Sequence, residues 1–131
     1  MIVVVDADVV IGALDASDAH HTRARRHFEA WRADGTQRVM SLVTLTEVLI
    51  APAASTARMS TAREAIAALE IAFHAPNEAV AVDAARLRGK YPISLPGAYA
   101  LATARQLGAA LLSFDRKIVR TAADLGLADP G

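Results

Sequence analysis

The chain has 131 residues, 53% of them apolar and 21% charged, with fourteen Lys and Arg balanced by fourteen Asp and Glu. Such a length and composition predict one domain over residues 1–131 with a substantial core, and they exclude a disordered tail. The absence of cysteine removes disulfides, thiolate zinc sites and cysteine nucleophiles, and the balanced charge removes an overall basic footprint for nucleic acid, leaving local patches. No apolar run approaches the roughly 20 residues that span a bilayer. The apolar start Met1–Val5 stops at Asp6 and lacks the basic flank of a signal peptide, so a cytoplasmic protein with no membrane partner is expected. Thirty alanines, and twelve Arg against two Lys, read as a coding bias rather than as function.

In chain order, the unbroken β-branched run Ile2–Val5 predicts a strand buried on both faces, ended by Asp6. Ala7–Leu14 reads as a short helix. Asp18 is a plausible cap for a longer one over about His20–Ala33, with Ala24, Phe28 and Trp31 on one face and Asp34-Gly35 as its stop. Arg38–Leu42 is a second strand. Thr44 or Ser41 caps a helix over about Leu45–Ile50, which Pro52 breaks. Ser60 caps a helix over Ala62–Ile71, and Ile71–Ala75 reads as a third strand. Glu78–Tyr91 is helical with Val82, Ala85 and Leu87 inward. Ser94-Leu95-Pro96-Gly97 opens a helix that runs to about Leu107, where Gly108 ends it. Ala109–Phe114 is a fourth strand, closed by Asp115, and Arg116–Leu125 is the last helix. Strands alternating with helices predict a parallel sheet covered on both faces, whose ligands sit beyond the carboxyl ends of the strands. Asp6 and Asp115 both stand at such ends.

Three acids bear on chemistry. Asp6 and Asp115 each follow an apolar strand directly, and Glu47 lies in a helix otherwise marked by Val43, Leu45, Val48, Leu49 and Ile50. A glutamate in so apolar a segment is costly to bury unpaired, and no Lys or Arg occurs between Arg38 and Arg58. Together the three suit an oxygen-ligand site for Mg²⁺ or Mn²⁺. Each alone also has an ordinary explanation: Asp6 or Asp115 as a helix cap, Glu47 as the partner of a remote arginine.

The order Val3-Val4-Val5-Asp6, then Ser41-x-x-Thr44-Leu45-x-Glu47, then Leu95-Pro96-Gly97-Ala98-x-x-Leu101-Ala102-x-Ala104, then Leu111-Leu112-Ser113-Phe114-Asp115 resembles the PIN-domain family, above all the small toxins of VapBC-type toxin–antitoxin pairs. The resemblance covers nearly the whole chain. It implies a three-layer α/β/α domain with a mostly parallel sheet and a metal-dependent ribonuclease whose acids hold Mg²⁺ or Mn²⁺ and activate water against an RNA phosphodiester. By position, Asp6, Glu47 and Asp115 are the first, second and fourth family acids, catalytic and metal-binding. Ser113 stands where the family often has a small hydroxyl residue near the metal. The third acid is absent, because Gly97 occupies its place. Either the site works with three acids, with or without help from Asp8, or activity is impaired. Asp8 serves equally as an anion at the positive end of its helix. The resemblance further implies an RNA substrate, a cognate antitoxin bound across a helical groove, and a homodimer. Trp31 and Phe28 are candidates for that groove, with core packing the alternative.

Arg116, Lys117 and Arg120 follow Asp115 and are the first choice for phosphate contacts, since cations at a helix start are not favoured by its dipole. Arg23, Arg25 and Arg26, and Arg86, Arg88 and Lys90, form two further clusters. The four histidines read as surface or capping residues, and six aromatics offer little for base stacking. Two other functions stay open. Val5-Asp6-Ala7-Asp8-Val9 resembles the nucleophile loop of haloacid-dehalogenase-type phosphatases, with Asp6 as nucleophile and Asp8 as acid, although the later acidic pair of that class is missing. The Gly97 substitution also suits a PIN-fold module that binds without cutting.

Overall fold

Four parallel strands, β1 (Ile2–Val5), β2 (Gln37–Ser41), β3 (Ile71–His74) and β4 (Ala110–Leu112), form one sheet in the order β3-β2-β1-β4 in the computed structural model, which describes residues 1–130. The helices are α1 (Ala7–Leu14), α2 (His21–Asp34), α3 (Leu42–Leu49), α4 (Thr56–Ala68), α5 (Glu78–Lys90), α6 (Leu95–Leu107) and α7 (Arg116–Asp124), with a 3-10 turn at Pro52–Ala54. None of them is long and apolar enough to cross a membrane.

The period-two alternation of strand side chains separates two cores. Val3, Val5, Met40, Ala110 and Leu112 join Val9, Phe28, Trp31, Val48 and Ile66 on one face of the sheet. Val4 and Leu111 join Val80, Leu87, Leu101 and Ile118 on the other. The result is the expected α/β/α sandwich, with α1 to α4 on one side and α5 to α7 on the other. β1 is central, and its three valines are wholly buried, which is why that run lacks polar alternation.

Several local expectations need correction. Helix α4 starts at Thr56 rather than Ala62, because the Ser55 hydroxyl, not that of Ser60, accepts the Arg58 N–H at 3.1 Å. Helix α3 follows β2 without a loop, Ser41 ending the strand and accepting the Val43 N–H at 3.2 Å. Asp18 binds the His20 N–H at 2.8 Å and leaves α2 to open at His21 without a side-chain cap. In α5 the buried stripe is Val80, Ala84 and Leu87, while Val82 and Ala85 face outward; a spacing of four and three residues sets that face. Phe28 and Trp31 are core residues, packed edge to face at 5.1 Å.

Met40→Ala is expected to lower the unfolding free energy by about 2–5 kcal/mol, because Met40 is fully buried. Val82→Ala, on the outward face of α5, is expected to change it by less than about 0.5 kcal/mol. Urea denaturation with the slope held constant measures both; a large loss for Val82→Ala would contradict the assigned face.

Candidate active site

The chain leaves β1 toward β2 and β3 on one side and returns to place β4 on the other, so the strand order reverses between β1 and β4. Crevices at such a switch point are where open parallel sheets bind ligands. Asp6 sits on its β1 side, its N–H bonded to the Leu112 carbonyl at 3.0 Å. The Asp6 carboxylate is buried: Oδ1 accepts the Ala7 N–H at 2.9 Å and Oδ2 accepts the Ser113 hydroxyl at 2.7 Å. Ser113 Oγ in turn accepts the Asp115 N–H at 3.1 Å, and Asp115 Oδ1 caps α7 by accepting the Lys117 N–H at 2.8 Å. Asp8, on the first turn of α1, takes the Phe114 N–H with both carboxylate oxygens, at 3.2 and 3.1 Å. That bond removes Phe114 from the sheet ladder and explains why β4 stops at Leu112 rather than at Phe114. Glu47 enters from α3, half-buried.

These acids feel one another. Burial raises the Asp6 pKa, the Ser113 and Ala7 hydrogen bonds oppose that rise, and the charge of Asp115 adds to it. Asp8 is pushed up to about 6 by burial, then by the Asp6 charge. Glu47 is raised by burial and then by Asp6 and Asp8. Asp6 thus lies within electrostatic reach of both Asp115 and Glu47, and so does Asp8, which was secondary in the sequence. Its i+2 spacing from Asp6 across a strand-to-helix junction was the available signal. The ion pairs among the described residues are Arg32 and Arg38 with Glu70, and Arg105 with Asp83; none involves the cluster.

An all-carboxylate donor set with no neutralising side chain fits a hard divalent cation in kind and in charge. Among the described residues, no group of three or more Asp, Glu or His side chains stands close enough together to hold a metal ion as placed.

Gly97 is buried near the start of α6, its N–H donating to the Ser94 hydroxyl at 3.1 Å. The place of its missing side chain is not open. A Cβ built on Gly97 would stand 2.5 Å from Cδ1 of Ile118 and 3.0 Å from Ser94 Oγ. Ile118, itself 2% exposed, fills the space on that side. Arg116, Lys117 and Arg120 lie exposed along α7 beyond Asp115. The histidines depart from a uniform surface role: His21 Nδ1 lies 2.8 Å from the Gly12 carbonyl, and the ring of His20 packs on Phe114.

The family model for the PIN domain matches residues 3–124, a span that includes every candidate site residue. In fold the chain is similar to a toxin–antitoxin complex from Klebsiella pneumoniae, with a TM-score of 0.75, 24% identity and 98% of each chain covered. It is also similar to VapC20, a sarcin–ricin-loop-cleaving toxin of Mycobacterium tuberculosis, with a TM-score of 0.74, 17% identity and 96% of each chain covered. A third similar structure is VapBC2 of Rickettsia felis bound to a DNA fragment from its promoter, with a TM-score of 0.69, 14% identity, and 92% and 93% of the two chains covered. No curated protein matches the sequence.

Two outcomes follow from the geometry. The folded chain holds a proton on Asp8 up to about pH 6 against an ordinary value of 3.8. The stability that this group contributes is therefore full below about pH 3.8 and is lost as pH rises through about 6. Asp8→Asn, which keeps one acceptor for the Phe114 amide, should gain stability relative to the parent as pH rises from 4 to 7.5, read from urea midpoints; a pH-independent difference would overturn the assignment. Gly97→Ala should cost about 1–3 kcal/mol through overpacking. That cost should shrink in an Ile118→Val background, which removes the Cδ1 it meets; additive effects in the double-mutant cycle would show the two positions uncoupled.

Proposed function

Because the chain belongs to the PIN-domain family, we propose that it is a metal-dependent endoribonuclease, the toxin of a type II toxin–antitoxin pair, formed by one domain over residues 1–131. The observation that supports this reading is the grouping of Asp6, Asp8, Glu47 and Asp115 at the β1–β4 crevice, where burial and neighbouring carboxylate charges raise the pKa values of Asp6, Asp8 and Glu47 and, among the described residues, no basic side chain forms an ion pair with them.

Asp6, Glu47 and Asp115 are the catalytic residues and would hold Mg²⁺ or Mn²⁺. A bound ion supplies acidity to water and stabilises charge on a phosphoryl oxygen. Ser113 orients the Asp6 carboxylate and spaces it from Asp115 through its two hydrogen bonds. Asp8 pins the intervening loop through the Phe114 amide. Arg116, Lys117 and Arg120 contact the phosphates of the RNA. The antitoxin is a second partner. A groove of about 490 Å³ beside Glu47, lined by Ile11, Leu14, Val48 and Pro52 among others, has the apolar character such a protein segment needs. A homodimer and a cytoplasmic location belong to the same reading. The family model runs from before Asp6 past Asp115, and it accounts for the Asp6-Ala7-Asp8 pair without a phosphatase loop.

One observation favours a second reading, a PIN-fold module that binds without cutting: Ile118 fills the space in front of Gly97, where the family carries an acid.

The deciding experiment compares metal-dependent cleavage of a structured RNA pool by the parent chain, by Gly97→Asp, and by Gly97→Asp with Ile118→Val. Cleavage by the parent means that the acids present suffice. Cleavage only by a Gly97→Asp form means a nuclease weakened at one position. No cleavage by any folded form, across several RNAs, supports the binding module. In a cleaving form, Asp6→Asn should abolish turnover, and Glu47→Gln should weaken Mn²⁺ binding at least about tenfold, as expected for removing one of few charged oxygen donors. Unchanged turnover or affinity would remove the metal–carboxylate mechanism.

A further inference from the structure

Arg23 stands on the first turn of α2, an end where the helix dipole disfavours cations. Arg32, Arg38 and Arg105 lie in ion pairs with carboxylates. Arg23 instead lies over an aromatic ring, its guanidinium carbon 4.5 Å from the centroid of Phe114. His20 packs against the same ring at 4.6 Å with a tilt of 31°.

Phe114 is no remote platform. It lies between Ser113, which holds Asp6, and Asp115, and its own N–H is held by the Asp8 carboxylate. The ring is half-buried while Arg23 and His20 remain exposed. Arg23 also lines, with Leu112, Ser113 and Val119, a groove of about 400 Å³ between β4 and α7.

An arginine over a ring uses the face of its guanidinium there and keeps the in-plane N–H fork for an oxyanion. Contact with Phe114 also restricts a side chain that would otherwise sample many rotamers, so less freedom is lost when it binds. A phosphate approaching four carboxylates meets repulsion, and a pre-ordered cation at the same loop opposes it.

We infer that Arg23, held by Phe114 and flanked by His20, contacts a backbone phosphate of the RNA strand beside the bond to be cut. This inference rests on the ribonuclease reading and extends it to a second basic surface, on α2, separate from the α7 cations. Arg23 is a binding residue here, and Phe114 acts through it.

The test is fluorescence anisotropy with a fluorescein-labelled single-stranded RNA of about 12 nucleotides, in Ca²⁺ buffer, with strand integrity checked on a gel. Arg23→Ala should weaken binding about tenfold and lower the slope of log K against log salt by about 0.7, one phosphate contact on a single strand. Arg23→Lys, which keeps the charge but not the planar fork, should recover part of the affinity. Phe114→Leu should weaken binding about threefold in the parent and add nothing in the Arg23→Ala background. Arg63→Ala, on α4, should bind within about twofold of the parent, and thermal unfolding of Arg23→Ala should stay within about 2 °C of it, as for a surface substitution. A parent that binds while Arg23→Ala binds equally well overturns the inference and leaves the ribonuclease reading standing. A loss of binding matched by a loss of folded protein in Arg23→Ala overturns it in favour of a structural role for the stack. A parent that binds no RNA overturns both.

Discussion

The hydrogen bond from the Ser113 hydroxyl to the buried Asp6 carboxylate, 2.7 Å long, is the joint on which the crevice depends. β1 and β4 are neighbours in the sheet but lie more than a hundred residues apart in the chain. A carboxylate left without donors in that position would be expensive. Asp6 has two, one local and one from across the switch point, so its burial is offset and the two strand ends are tied together. Each carboxylate oxygen keeps lone-pair capacity beyond the one hydrogen bond it accepts. The same group can therefore be structural and remain a donor to a ligand. Asp8 repeats the device two residues later, taking the Phe114 amide.

The position of α7 is set from two sides. At its start, Asp115 caps the helix and hangs from Ser113. One turn on, Ile118 inserts against Gly97 of α6. Any side chain at position 97 must therefore displace the Cδ1 end of Ile118. The small volume of Gly97 and the bulk of Ile118 thus pack together within the core shared by α5, α6 and α7.

Much of this was legible in the sequence. The unbroken β-branched run of β1, the strand–helix alternation and the acids immediately after two strands carry strong local signals, and the parallel sheet with helices on both faces followed from them, while the grouping of Glu47 with Asp6 and Asp115 was given by the family resemblance. What escaped were features decided by tertiary contacts. Ser55 and Ser60 are equivalent as caps on paper, and only the chain path after Pro52 selects Ser55. Val82 and Ala85 look as apolar as Val80 and Ala84, and the docking angle of α5 decides between the two faces. Phe114 reads as the end of a strand because nothing local reveals that a carboxylate over a hundred residues away claims its N–H. Ile118 facing Gly97, and Arg23 lying over Phe114, are likewise pairings between distant segments with no sequence periodicity to announce them.

The zero net charge of the chain conceals a local separation that matters more than the sum. Carboxylates gather on one side of the crevice, at the ends of β1 and β4 and on α1 and α3. Basic side chains that form no ion pair among the described residues stand on the neighbouring helices, Arg23 on α2 and Arg116, Lys117 and Arg120 on α7. In the ribonuclease reading the two sets are interdependent. The acids alone repel a polyanion, and a divalent cation neutralises only part of their charge, so the strand must be carried past them by cations placed close enough to escape screening over about 8–10 Å. The Ser113–Phe114–Asp115 segment meets that requirement directly: one neighbour of Phe114 holds Asp6, the other is itself a cluster acid, and the ring between them holds Arg23. Three consecutive residues thus set the distance between the negative and positive halves of the site, which explains why so much of the hydrogen bonding in this region is spent on keeping that short loop still.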